Sequence, residues 1–384
     1  MLDYDRSLLK NVAISVATLS LTIYTTYKLT KSYYQGKPPR PKDGVEELIG
    51  NTPMVKIRSL SKKTGCEIYA KLELSNPGGS AKDRVALNII ENGEALGYLK
   101  RGELGYVFEG TSGSTGISIA MICNSLGYKS HISLPDDTSL EKLSLLESLG
   151  AEINKVKPAS IVDPDQYVNA SKKKCKELTK TNRGIFADQF ENTANWEIHY
   201  KTTGPEIWDQ MDHKIDGFVA GCGTGGTIGG CSKYLKEKTN NKILTCLADP
   251  QGSGFYNRIN YGVMYDNVER EGSRRRHQVD TIIEGIGLNR ITTNFALNEK
   301  YIDLSFRVSD TQAIKMAKYL SVNDGLFVGS STAINAVAAV ELAKILGRGS
   351  RIVIIACDSG SRHLSKFWKE ALTINSNITL EEIV

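Results

Sequence analysis

Four segments rich in glycine, serine and threonine hold the residues with the most chemical potential. The first, Ser75-Asn76-Pro77-Gly78-Gly79-Ser80-Ala81-Lys82-Asp83-Arg84, runs into a helical pattern. Ser80 and Asp83 have the spacing of a capping box, which predicts Lys82 in the first turn. The positive end of a helix dipole opposes an ammonium there and is expected to lower its pKa, which suits a nucleophilic amine. Taken alone, such a lysine is more often merely exposed. The second segment, Glu109-Gly110-Thr111-Ser112-Gly113-Ser114-Thr115-Gly116, offers amides and hydroxyls suited to a small carboxylate, with a ligand-free tight turn as the plain alternative. The third, Gly221-Cys222-Gly223-Thr224-Gly225-Gly226-Thr227-Ile228-Gly229-Gly230, suits a phosphate. Gly221, Gly223 and Gly226 also satisfy G-x-G-x-x-G, and Asp249 follows Gly226 by 23 residues, so the loop imitates a dinucleotide fingerprint. Gly225, Thr224 and Thr227 fit a terminal phosphate better than a pyrophosphate. The fourth, Val328-Gly329-Ser330-Ser331-Thr332-Ala333, is followed later by Asp358-Ser359-Gly360. Serines there are ordinary helix caps when read singly.

These loops need strands to end on and helices to begin. Short β-rich runs alternate with helical stretches: Glu67 to Leu72 then Lys82 to Leu96; Tyr106 to Phe108 then Thr115 to Leu126; Ser130 to Leu134 then Leu140 to Leu149. The alternation returns at Gly217 to Ala220, Thr227 to Glu237 and Lys242 to Leu247, and at Ala333 to Leu346 followed by Arg351 to Ala356. Such βαβ alternation predicts an α/β protein with two parallel sheets covered by helices, and ligands beyond the carboxyl ends of the strands.

Composition limits the alternatives. The chain has 384 residues and a net charge of only +5, of which +4 lies in residues 1–43, so the remainder is nearly neutral and nucleic-acid binding is not expected. Seven scattered cysteines without a C-x-x-C pair fit a reducing compartment, and the dispersed histidines predict no metal site. Asn11 to Tyr27 is a run of 17 uncharged residues followed by Lys28, Lys31, Lys37, Arg40 and Lys42. That pattern predicts a retained single-pass membrane anchor, since a span needs roughly 17–25 residues. Asp3 and Asp5 argue against a secretory signal or matrix transit peptide. Lys37 to Lys42 reads as a stiff spacer, and a globular part is expected from about Gly44. Arg270 to His277 reads as a solvated loop.

Taken in order, Ile49-Gly50-Asn51-Thr52-Pro53, the Gly-Gly-Ser-x-Lys-Asp-Arg lysine, Thr-Ser-Gly-x-Thr-Gly, Asp188 to Asn192, Thr202 to Ile207, Gly-Thr-Gly-Gly-Thr and Asp-Ser-Gly form a recognisable set. From about Glu46 to Phe367 the chain resembles the cysteine synthase/cystathionine β-synthase family of fold-type II pyridoxal phosphate enzymes. The resemblance implies a tryptophan synthase β-like fold, with a large cofactor domain (44–90 and 196–384) and a small substrate-loop domain (91–195). It implies that Lys82 carries pyridoxal 5'-phosphate covalently and acts as base and acid. Thr111, Ser112, Thr115 and Gln189 would bind the substrate carboxylate. Gly223, Thr224, Gly225, Gly226 and Thr227 would seat the phosphate, Ser331 would meet the pyridine nitrogen, and Glu284-Gly285-Ile286-Gly287 would face the cofactor. Ser114 replaces the family's asparagine beside the phenolic oxygen, and Gly110 replaces a proline, which bears on preferred substrate and rate. No tandem regulatory module or haem motif is recognisable.

The implied reaction makes cysteine from O-acetylserine and sulfide in a homodimer, with a cysteine desulfhydrase or a cystathionine β-synthase-like lyase as the nearby alternatives. A nicotinamide-dependent oxidoreductase using the Gly221 loop and a tethered pseudoenzyme are the readings from other classes. The anchor resembles those of the mitochondrial outer membrane, with the catalytic domain in the cytosol, the endoplasmic reticulum being the competitor.

Overall fold

The protein is described from a computed structural model covering residues 2–35, 40–111, 113–159, 161–266 and 281–384. Met1–Asp43 and Gly44–Val384 form separate compact units. The first is the 34-residue helix Leu2–Gln35. The membrane-spanning expectation is corrected here: among the described residues no helix is long and apolar enough to cross a membrane. Length is not the obstacle. Six serines and threonines interrupt the Asn11 to Tyr27 run. The hydroxyls of Thr18, Thr22 and Thr25 turn back to the carbonyls of Ile14, Thr18 and Leu21 at 2.8–2.9 Å, which meets their own hydrogen-bonding need without making the helix apolar. Lys37 to Pro39 of the spacer and the Arg270 to His277 loop lie outside the described residues.

Gly44–Val384 carries two sheets. Ten strands are defined among the described residues: β1 Met54–Lys56, β2 Glu67–Leu72, β3 Gly105–Gly110, β4 Lys129–Pro135, β5 Glu152–Val156, β6 Arg183–Phe186, β7 Gly217–Gly221, β8 Leu244–Pro250, β9 Leu304–Val308 and β10 Arg351–Ala356. The larger sheet runs β1-β2-β10-β7-β8-β9, parallel except for β1, and the smaller runs β5-β4-β3-β6, all parallel. The parallel α/β expectation holds, and β2 and β10 have the ends read from the sequence.

Both faces of the larger sheet are buried, as β10 demonstrates residue by residue. Ile352 and Ile354 point into one core with Val219 and the helix Ser330–Leu346, while Val353 and Ile355 point into another with Phe218 and the helix Gly226–Lys238. The helix Ser330–Leu346 is apolar nearly all round because the helix Asp310–Asp324 covers its outer side. The smaller sheet shares a third core with the helix Ser114–Leu126 and with Val85, Ala86, Ile89 and Ile90 of the helix Lys82–Ala95. That last helix leaves the larger sheet after β2 yet buries its apolar face among residues of the smaller one, so its first turn lies where the strands of both sheets end.

Removing residues 2–43 is expected to leave a folded protein whose cooperative thermal unfolding matches that of the full chain. Loss of that transition in calorimetry would show that the second unit needs the first.

Candidate active site

A single cavity is lined by residues from all four glycine-rich segments, including Lys82, Thr111, Ser114, Thr224 and Ser331. Lys82 opens its helix as expected, but the capping box is corrected. The cap position is Ala81, and no side chain caps it. Asp83 instead turns back under the loop, accepting from Gly78 N at 2.6 Å and from Ser118 Oγ at 2.5 Å. A Cβ on Gly78 would lie 2.4 Å from Asp83 Oδ1, so only glycine admits this close turn. Burial pushes the Asp83 carboxyl up to about 6. Lys82 is held below the ordinary lysine range by burial, opposed by Cys357, Asp358 and Cys222. The lowered direction expected at this helix start is found, and its cause is desolvation.

Under this loop lies a buried ionic cluster that sequence reading did not anticipate. Arg84 donates to Glu73 at 2.8 and 2.9 Å and to Glu206 at 2.6 and 2.8 Å. Lys71 donates to Glu206 and to Thr52 O, both at 2.6 Å. The Ile49 to Pro53 and Thr202 to Ile207 motifs therefore meet through Thr52 and Glu206. Glu206 is held down at about 2 by Arg84 and Lys71 against the upward push of burial.

On the Thr111 side of the cavity, Thr115 Oγ1 donates to Gln189 Oε1 at 2.6 Å. Gln189 in turn donates from Nε2 and N to Glu109 at 3.2 and 3.3 Å. Glu109, a residue given no role from sequence, is fully buried, and that burial pushes its carboxyl up to about 8. Thr111 Oγ1 accepts from Gly113 N at 3.2 Å. Ser112 lies outside the described residues. The structure shows what surrounds both departures from the family. Ser114 Oγ accepts from Arg362 Nη1 at 3.0 Å, so a guanidinium from after the last strand reaches this hydroxyl. A Cβ on Gly110 would fall 2.4 Å from Val168 Cα and 2.7 Å from Tyr167 O, which leaves no room for proline.

The phosphate-type loop is tight on every side. A Cβ on Gly223 would come within 2.3 Å of Gly285 O, and one on Gly225, at φ +86°, within 2.8 Å of Phe295 backbone. Gly287 N donates to Cys222 O at 2.8 Å and pins the Gly285 segment against the loop. Thr224 Oγ1 accepts from Asn195 at 2.9 Å, and Thr227 Oγ1 meets His199 Nε2 at 3.1 Å. Asp249 does not serve the dinucleotide reading. It is fully buried outside the cavity lining, where its carboxylate accepts from Tyr256 N at 2.7 Å. Ser331 lines the cavity beside Cys357. The structure thus brings Lys82, Thr111, Ser114, Thr115, Gln189, Gly223, Thr224, Gly225, Thr227, Gly285 and Ser331 to one cavity. Gly226, absent from that lining, starts the helix behind the loop. Asn195, His199 and Glu109 could not be singled out because nothing local in the sequence distinguishes them from core residues.

Comparison with known proteins agrees with this geometry. The family described as "Pyridoxal-phosphate dependent enzyme" matches residues 45–358. The chain is 71% identical to a Saccharomyces cerevisiae protein named "Putative mitochondrial cysteine synthase", over 97% of this chain and 95% of that one. It is 56% identical to "Cysteine synthase 2" of Schizosaccharomyces pombe, over 88% and 86% of the two chains. Among solved structures, a hydrogen sulfide-producing enzyme from Fusobacterium nucleatum superposes with a TM-score of 0.70 at 34% identity, covering 84% of this chain and 99% of that one.

The raised Glu109 carboxyl has a consequence for stability. Between about pH 4.5 and pH 8 the folded protein retains a proton that the unfolded chain has lost, so the unfolding free energy falls as pH rises through this window and levels off above it. Glu109→Gln, neutral throughout, is expected to flatten that decline in denaturant titrations. An unchanged slope would show that Glu109 is ionised in the native protein.

Proposed function

The chain belongs to the family of pyridoxal-phosphate dependent enzymes, and on that premise we propose that it is a cysteine synthase, converting O-acetylserine and sulfide into cysteine and acetate. The observation that carries the assignment is the convergence of Lys82, the Thr111 and Thr115 hydroxyls and the Gly223 to Thr227 loop on one cavity. The residues present fit the cofactor. A half-buried lysine, its amine desolvated and its pKa lowered, shares the cavity with a loop packed so closely on Gly285 that Gly223 admits no Cβ.

When bound, pyridoxal phosphate supplies an electron-withdrawing ring that acidifies the substrate Cα–H and favours departure of a β-substituent. The chain's own residues do the rest. Lys82 would hold the cofactor through Nζ, and the same amine, when free, would serve as the base for the substrate Cα proton. With acetate as the group lost from Cβ and sulfide as the group gained there, Lys82 Nζ would also return the proton to Cα. Because Lys82 is desolvated, its amine is available as a base closer to neutral pH than an exposed lysine would be. Thr111, Ser112, Thr115 and Gln189 bind the substrate carboxylate. Gly223, Thr224, Gly225, Gly226 and Thr227 seat the phosphate, Ser331 offers the ring nitrogen an uncharged hydroxyl, and Ser114 and Gly285 border the cofactor.

A second reading, release of sulfide from cysteine, is favoured by one observation, the likeness to a hydrogen sulfide-producing enzyme. Both readings use the same parts and differ in which substituent leaves Cβ. The division into 44–90 with 196–384 and 91–195, and a homodimer, belong to the same proposal. A mitochondrial location is proposed from the name of the yeast relative. The finer reading is attachment without a span at the cytosolic face of the outer membrane, supported by the basic residues after Tyr27, which suit an anionic lipid surface.

Purified protein is expected to be yellow, and borohydride followed by peptide mapping should label Lys82. Lys82→Ala should lose at least about a thousandfold in cysteine formation, on the scale of removing a catalytic nucleophile and base. Wild type forming cysteine from O-acetylserine faster than it releases sulfide from cysteine supports the synthase; the opposite order selects the second reading. In fractionated cells the protein should accompany mitochondria, be cleaved by protease added outside them, and be released by alkaline carbonate, since its N-terminal helix is too polar to span. Protection from protease would place it inside the organelle.

A further inference from the structure

Thr224 and Thr227 line the cavity, and each is touched from behind by a buried side chain of the segment 194–203. This segment is the helix Ala194–Ile198 continued by one π-helical turn, His199–Thr203. It lies against the helix Gly226–Lys238 at a distance that only glycine allows. A Cβ on Gly226 would fall 1.9 Å from Asn195 Oδ1, and one on Gly230, a turn later, 2.2 Å from Trp196 O.

Asn195 is 1% exposed, and its Nδ2 donates to Gln189 O at 2.7 Å and to Thr224 Oγ1 at 2.9 Å. A backbone carbonyl can only accept, so the amide's orientation is settled and its NH2 group faces Thr224. Asn195 Oδ1 has no partner among the described residues, which marks the side chain as held for its donors. Thr224 Oγ1 also accepts from Gly226 N at 3.4 Å. A hydroxyl oxygen receiving two donors has only its own proton left to give, and the open direction is the cavity.

His199 leads to the same polarity. It is fully buried, and that burial pushes it down to about 3, so it carries one ring N–H. Nδ1 meets Thr203 Oγ1 at 2.9 Å, and Nε2 meets Thr227 Oγ1 at 3.1 Å. Thr203 is fully buried too, and His199 Nδ1 is the acceptor within reach of its hydroxyl among the described residues. Were Nδ1 protonated, the Thr203 proton would be buried without an acceptor, which is the costly arrangement. The proton therefore sits on Nε2 and is donated to Thr227, whose own proton is left for the cavity.

We propose that Asn195 and His199 are positioning residues for the phosphate seat: donating into Thr224 and Thr227 from behind, they leave both hydroxyl protons aimed into the cavity and make the loop a set of donors matched to a phosphate anion. This rests on the phosphate seat assigned above.

Asn195→Asp keeps the shape but replaces the donating NH2 with an acceptor, which would draw the Thr224 proton away from the cavity. In the full-length protein it is expected to weaken pyridoxal phosphate binding at least tenfold while changing affinity for pyridoxal, the same ring without phosphate, less than twofold. Absorption titration of the resolved enzyme reads both. Equal losses for the two ligands, or no loss for either, would overturn the role of Asn195. If Asn195→Asp does not fold, His199→Gln, which retains a donating amide, and His199→Met, which does not, carry the same test. A phosphate-selective loss confined to the methionine variant supports the proposal, and matched behaviour of the two overturns it. A wild type that binds pyridoxal as tightly as pyridoxal phosphate would instead remove the phosphate seat, and this inference with it.

Discussion

Keeping the amine of Lys82 out of water is the constraint on which the rest of the site depends. Desolvation lowers the cost of the neutral amine relative to the ammonium, and the helix N-terminus at which Lys82 sits acts in the same direction. The lysine must therefore be packed closely by its surroundings while opening onto the cavity, and it is half-buried at the cavity wall. The fold meets this by placing the first turn of one helix where the carboxyl ends of two parallel sheets face each other. At Gly223 and Gly225 a Cβ would strike backbone, so glycine there reflects close approach, whereas Gly285 meets nothing and is glycine for its φ of +82°.

Holding that turn in place falls to a cluster of charges with little exposure. Lys71 and Arg84 face Glu73 and Glu206, two cations and two anions, and every close pair is also a hydrogen bond. Such a cluster is poor evidence of net stabilisation, because desolvating four charges offsets most of the Coulombic gain. Removing one member is a different matter: the uncompensated charge costs about 3–5 kcal/mol. What the cluster supplies is register. Arg84 lies two residues after Lys82, and its guanidinium is fixed by Glu73 just after β2 and by Glu206 from a helix some 120 residues later. The lysine loop is thereby tied both to the strand that leads into it and to the segment that supports the phosphate loop.

The Thr115 side of the cavity and its Gly223 to Thr227 side are joined by Gln189. Its side chain bonds Thr115 and Glu109, while its carbonyl accepts from Asn195, the residue that contacts Thr224. A substrate carboxylate and a cofactor phosphate would thus be read by hydroxyls whose orientation passes through a single short segment. Asn294 adds a second clamp on the same carbonyl at 3.1 Å.

Much of this was legible in the sequence because it is local. Strand followed by glycine-rich loop followed by helix is a pattern in neighbouring residues, and it located the four loops and the parallel α/β class, while Lys82 and Ser331, ordinary when read singly, stood out through the family resemblance. Composition likewise separated residues 1–43 from a nearly neutral remainder. The same local logic failed where local chemistry was outcompeted. Ser80 and Asp83 have the spacing of a capping box, but Asp83 finds better donors in Gly78 and Ser118 once the loop folds over it. The uncharged run at Asn11 to Tyr27 has the length of a span, but its hydroxyls make it too polar. Only the tertiary structure could decide which buried polar groups stand behind the cavity. Asn195 and His199 gain their meaning from glycines 226 and 230 across a helix contact, and Arg362 reaches Ser114 over 248 residues of chain. The direction of a hydrogen bond depends on which partner is left without another choice, and that is settled by packing between distant segments rather than by the order of residues along one of them.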